Sequence, residues 1–92
     1  MLLKEVLYDD KAGYWTNDRK CNLLFIVTKE QYFNDLLRHR GYVYLNEICE
    51  GLCVEWNPTN ENTCIKYDGI CSIKFWCLER PNNSYLIQII KD

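Results

Sequence analysis

A single α+β domain over residues 1–92, with a mostly antiparallel sheet of four to five strands and two helices packed on one face, is predicted by three observations. Hydrophobic residues make up 48% of the 92 and charged residues 26%, a balance that folds and that excludes disordered and fibrous classes. Two segments, 29–40 and 45–52, carry apolar residues at helical spacing, whereas several others are rich in β-branched and aromatic residues and are bounded by turn formers. No linker, repeat or low-complexity tract divides the chain, and at this length about two thirds of its surface can be buried in one core.

In chain order, Leu3 to Tyr8 is predicted as an opening strand, Asp9-Asp10-Lys11-Ala12-Gly13 as its turn and Tyr14 to Thr16 as a short return. Asn22 to Thr28 has the apolar density of a central strand buried on both faces. Thr28 then offers a hydroxyl to cap a helix, with Gln31 in capping-box position. From Lys29 to Arg40, Tyr32, Phe33, Leu36 and Leu37 recur on one side while Lys29, Asp35 and Arg38 face water. Gly41 can take the left-handed conformation that ends this helix, and Arg38 and Arg40 suit the negative end of its dipole. A second helix is expected from Leu45 or Asn46, with Leu45, Ile48 and Leu52 on one stripe.

Trp56 to Asn62, interrupted by Pro58, reads as a loop separating two halves. Thr63 to Tyr67 and Ile70 to Leu78 read as strands joined by a type I′ turn at Asp68-Gly69. Alternation puts Cys64, Cys71, Ile73, Phe75 and Cys77 on the core face and Ile65, Tyr67, Ser72, Lys74 and Trp76 on the other. Glu79 to Ser84 is a longer turn, and its Asn82-Asn83-Ser84 sequon is read as turn chemistry; Tyr85 to Ile90 is a further interior strand.

Function is constrained more by exclusion. The net charge of -2 suits neither a dedicated phosphate-backbone binder nor an acidic decoy. Charged residues interrupt the N-terminal segment too early for an export signal, and the longest apolar run, Leu23 to Val27, is far short of the ~20 residues of a membrane span, so a cytoplasmic protein with no membrane partner is expected. Six cysteines without a CxxC pair then read as reduced, mostly buried thiols, and no metal site or cofactor is expected. Glycine-rich phosphate loops, HExxH and GxSxG are missing, and the sole histidine, His39, sits between two arginines at a helix end. Paired carboxylates such as Asp35 with Glu47, or Glu50 with Glu55, are as well explained as surface groups. No catalytic residue is assigned and enzymatic action is not expected.

Phe25-Ile26-Val27-Thr28, Phe33-Asn34-Asp35-Leu36-Leu37, Arg40-Gly41-Tyr42-Val43 and Leu45-Asn46-Glu47-Ile48 carry a resemblance to small uncharacterised proteins of intestinal Gram-positive bacteria and their phages or conjugative elements. It covers roughly Leu24 to Leu52 and brings no known activity or site residue. It implies a mobile-element origin and an accessory, host-interaction role. Proteins of that kind often have glycine just beyond the second helix, where this chain has Cys53.

A small core cannot hold every large side chain of a composition 14% aromatic. Trp15, Tyr44, Trp56 and Trp76 are therefore the expected anchors for a protein partner or for self-association, as in a homodimer. Trp76 is the sharpest case, because it alternates with Phe75 on a strand whose two faces both require cover. Nucleic acid is the alternative partner, with Arg38 and Arg40 supplying charge and Tyr42 a stacking face.

Overall fold

The computed structural model describes residues 1–54 and 63–92. Along the chain these form β1 (Leu2–Tyr8), α1 (Arg19–Arg40), β2 (Tyr42–Tyr44), α2 (Leu45–Leu52), β3 (Cys64–Lys66), β4 (Ile73–Arg80) and β5 (Ser84–Lys91). The class is α+β with antiparallel pairing throughout, but the five strands divide into a three-stranded sheet, β1-β5-β4, and a separate pair, β2-β3. The expected loop from Trp56 to Asn62 lies outside the described residues.

The largest departure from expectation is at Asn22 to Thr28, which is helix and not a central strand. Helix α1 begins ten residues before Thr28, at Asp18, whose carboxylate accepts the backbone N–H groups of Lys20 and Cys21. That satisfies two of the orphan donors of the first turn, and Thr28 is simply an exposed residue in mid-helix. The buried residues Asn22, Ile26, Phe33 and Leu37 lie at four- and seven-residue intervals, one side of a single long helix. Gly41 closes it as expected, at φ 90°, with its N–H on the Leu37 carbonyl at 2.8 Å.

Helix α2 also follows the sequence. Leu45, Ile48, Cys49 and Leu52 are buried, and the Glu47 carboxylate accepts the Tyr44 N–H at 3.0 Å. Gly51 sits in its last turn because α1 passes close by: a Cβ there would lie 2.5 Å from Cζ of the buried Phe33 ring. Cys53 itself adopts the left-handed conformation that ends the helix (φ 57°), so the role open to glycine is filled by a side-chain-bearing residue.

Strand β5 is the interior strand expected from its apolar content, paired to β1 on one side and β4 on the other. The expected return strand at Tyr14 to Thr16 does not form; Ala12 and Trp15 instead close successive turns onto Asp9 and Ala12 carbonyls. Nor is Asp68-Gly69 a hairpin turn. Only Gly69 has positive φ, and the Asp68 carboxylate accepts the N–H groups of Ile70 and Cys71, carrying the chain from one sheet to the other. Because β3 pairs with β2, its facing is the reverse of that expected: Ile65 is buried and Cys64 only half-buried. The hairpin lies further on, where Pro81-Asn82-Asn83 joins β4 to β5 with both asparagines in the left-handed region.

One buried cluster unites Ile26, Phe33 and Leu37 of α1 and Ile48 and Leu52 of α2 with Val6, Tyr8, Phe75, Tyr85, Ile87 and Ile89 of the larger sheet. Burial pushes the Tyr8 hydroxyl up to about 12, so it is neutral at any physiological pH.

Candidate protein-interaction surface

Along β4 the facing predicted from alternation holds: Ile73 and Phe75 are buried, Cys77 is half-buried, and Lys74, Trp76 and Leu78 are exposed. The register extends this pattern across the sheet. On the face opposite the core, Lys74, Ile90 and Leu2 form one cross-strand row, Trp76, Gln88 and Glu5 the next, and Leu78, Leu86 and Leu7 a third. Trp76 is 61% exposed, Leu2 50%, Leu7 46% and Leu78 40%. Together they expose on the order of 400 Å² of apolar side chain, interspersed with Lys74, Gln88 and Glu5 on the same face.

The remaining expected anchors are placed differently. Trp15 is half-buried against the core and its indole N–H donates to the Asn83 carbonyl at 3.0 Å, tying the loop before α1 to the β4–β5 turn. Tyr44 is exposed and meets Tyr42 edge-on, 5.7 Å between ring centres, away from the Trp76 rows. Trp56 lies outside the described residues. Leu2, Leu7 and Leu78 belong to the surface without having been singled out in the sequence; their signal was the same period-2 alternation that exposed Trp76, extended across the register.

The basic end of α1 is engaged within the chain. Arg38 pairs with Asp35, and Arg40 pairs with Glu47, donates to the Tyr42 carbonyl at 3.0 Å and lies over the Tyr42 ring at 4.3 Å. The ion pair and hydrogen bond from Arg40 hold the Glu47 carboxyl below its usual range. His39 contacts the Asp35 carbonyl through Nδ1 at 2.7 Å. Thus Asp35 and Glu47 each serve a neighbouring arginine, while Glu55 lies outside the described residues. A polar hollow of about 510 Å³ along α1 and the start of β4 is lined by Glu30, Asn34, Asp35, Arg38 and Lys74. Its walls are bonded to neighbouring groups: Asn34 and Glu30 to β4, Asp35 to Arg38, and Lys74 to Asp92.

None of the six cysteines is disulfide-bonded; Cys49 and Cys71 are buried, Cys53, Cys64 and Cys77 half-buried, and Cys21 exposed. Burial pushes the Cys49 thiol up and the Cys77 thiol to about 11. Since the thiolate is the nucleophile, Cys77 at pH 8 should react with a maleimide roughly 100-fold more slowly than an unperturbed cysteine. Mass-resolved labelling should show Cys21 modified before the buried thiols, because it is exposed even though the neighbouring Asp18 carboxylate pushes its thiol up, and all six alike in denaturant; fast native labelling of Cys49 and Cys77 would contradict this burial. Among the described residues no three His, Cys, Asp or Glu side chains converge to hold a metal ion, and no helix is long and apolar enough to cross a membrane.

Comparison with protein-family models, with curated proteins and with solved structures returns no match.

Proposed function

We propose that this chain is a small non-enzymatic accessory protein of the cytoplasm that acts by protein contact, its helices covering one face of the three-stranded sheet and its opposite face receiving a partner. The observation that supports this reading is the set of cross-strand rows centred on Trp76, in which large apolar side chains stand in water on a regular, rigid platform. An antiparallel sheet can keep one face solvated, but such a face ordinarily alternates to polar residues. Here Leu78, Leu86 and Leu7 fill an entire row. Covering about 400 Å² of apolar surface is worth roughly 10 kcal/mol before the cost of association, enough to drive recognition with Trp76 as the largest anchor.

The mechanism is occlusion or scaffolding without covalent chemistry, and a regulator or inhibitor of a host or mobile-element complex is the role that suits so small a platform. The ion pairs of Arg38 and Arg40 favour this reading over nucleic-acid binding, because phosphate would have to displace carboxylates already in contact. The test is capture from the native cell on immobilised chain, wild type against Trp76→Ala, with proteins and nucleic acids both identified. Trp76 is largely exposed, so the variant should keep its melting temperature within a few degrees. The expected result is at least a tenfold loss of the retained protein, as for a hot-spot residue. Undiminished retention by the variant, or retention of nucleic acid alone that falls steeply with salt, would overturn the proposal.

A further inference from the structure

We infer that the occupant of the Trp76 face is a second copy of this chain, stacked sheet on sheet about a two-fold axis parallel to β5; this rests on the proposed use of that face for protein contact.

The distribution of charge selects this arrangement. On the outward face the β1 edge carries Glu5, whereas the β4 edge carries Lys74 and Arg80, with Ile90, Gln88 and Leu86 of β5 between the two edges. A two-fold axis running along β5 lays the β4 edge of one copy over the β1 edge of the other. Each Trp76 then covers the partner's Glu5, whose carboxylate can accept the indole N–H. Lys74, one row along and about 7 Å away in the strand direction, approaches the same carboxylate. Its contact with Asp92 is at the surface, both side chains more than half exposed, so the ammonium group can be shared. The row of Leu78, Leu86 and Leu7 meets its own copy in reverse order, so apolar faces apolar, as an isologous interface requires. An axis perpendicular to the strands would instead set Glu5 on Glu5, and is disfavoured.

Area sets the strength. The ~400 Å² of exposed apolar side chain, together with the exposed Glu5 and Lys74 on the same face, gives a surface on the order of 500 Å² per copy. Roughly 1,000 Å² in total is at the lower limit of a specific interface. The pair is therefore a reversible dimer in the micromolar range, stacked at the ~10 Å separation and slight rotation of aligned sheets.

Sedimentation velocity from about 5 to 500 μM tests it, with circular dichroism confirming that each variant is folded. Wild type should pass from monomer to dimer across that range, and Trp76→Ala should weaken the dimer at least tenfold. Glu5→Lys and Lys74→Glu should each weaken it several-fold, and the double swap should return it to within about threefold of wild type. A wild type that stays monomeric at every concentration, or a double variant weaker than either single one, would overturn the inference. If wild type is monomeric but Trp76→Ala still abolishes capture of another protein, the face serves a foreign partner and only the second copy is refuted. If neither association nor capture responds to Trp76→Ala, the use of this face fails as well.

Discussion

Asn22→Leu should lower the melting temperature by roughly 12–24 °C, corresponding to a loss of about 3 kcal/mol, although it replaces a polar residue with an apolar one of similar size. Asn22 is fully buried on the first turns of α1. Its side-chain oxygen accepts the Thr16 N–H at 3.0 Å and its amide donates to the Thr16 carbonyl at 2.8 Å. The leucine would take both of these partners from the Thr16 backbone, whose bonds to Asn22 are part-buried although Thr16 itself is exposed, and the penalty for displacing them exceeds the gain from added hydrocarbon. The effect should spread, because Thr16 anchors the segment that stacks Tyr14 on Phe25 and ties Trp15 to Asn83. Thermal unfolding followed by tryptophan fluorescence measures both consequences: an earlier transition and a red-shifted native emission as Trp15 gains water. An unchanged melting temperature would show that water or a shifted backbone satisfies Thr16 equally well.

The same residue explains much of what the sequence concealed. Five consecutive apolar residues, Leu23 to Val27, carry no period and match a buried strand. The helical signal was spread over Asn22, Ile26, Phe33 and Leu37, and its first member is polar, buried only because it serves a loop far outside any helix template. The helix also leaves Leu24 and Val27 exposed, which a reading based on burial disfavours. Asp18 is an ordinary cap, but position 21 holds cysteine and not the glutamate or glutamine that would complete a capping box, so Thr28 with Gln31 gave the stronger local signal.

Features encoded by neighbouring residues were legible: the Gly41 stop, the α2 stripe and the alternation of Phe75 with Trp76. Strand partnership was not, since Asp68-Gly69 suits a hairpin locally and only the pairing of β3 with β2 decides against it. The candidate surface falls between these cases. Trp76 was readable from period 2, but its neighbours Leu2, Leu7 and Gln88 come from strands more than seventy residues apart in sequence, and only the register assembles them.

Asn34→Ala should cost about 2 kcal/mol, lower the melting temperature by roughly 8–16 °C and make the protein prone to aggregate on heating, although Asn34 is only half-buried on a helix where alanine has the better propensity. Among the described residues strand β4 is an edge, paired to β5 alone, and an edge exposes backbone groups to other chains. Here α1 supplies the missing partner through side chains one turn apart. The Asn34 amide donates to the Ile73 carbonyl at 2.8 Å while its oxygen accepts the Ile73 N–H at 2.8 Å, and the Glu30 carboxylate accepts the Phe75 N–H at 2.7 Å. Asn34 thus imitates a paired strand residue, and alanine would return both groups of Ile73 to an open edge. Hydrogen exchange should show faster exchange at Ile73, with Phe75 changed less because Glu30 remains. The helix gains at most about 0.7 kcal/mol from the alanine, too little to offset two lost backbone bonds. Full protection of Ile73 in the variant would mean that the helix shields this edge by packing, and that its side chains do not stand in for a strand.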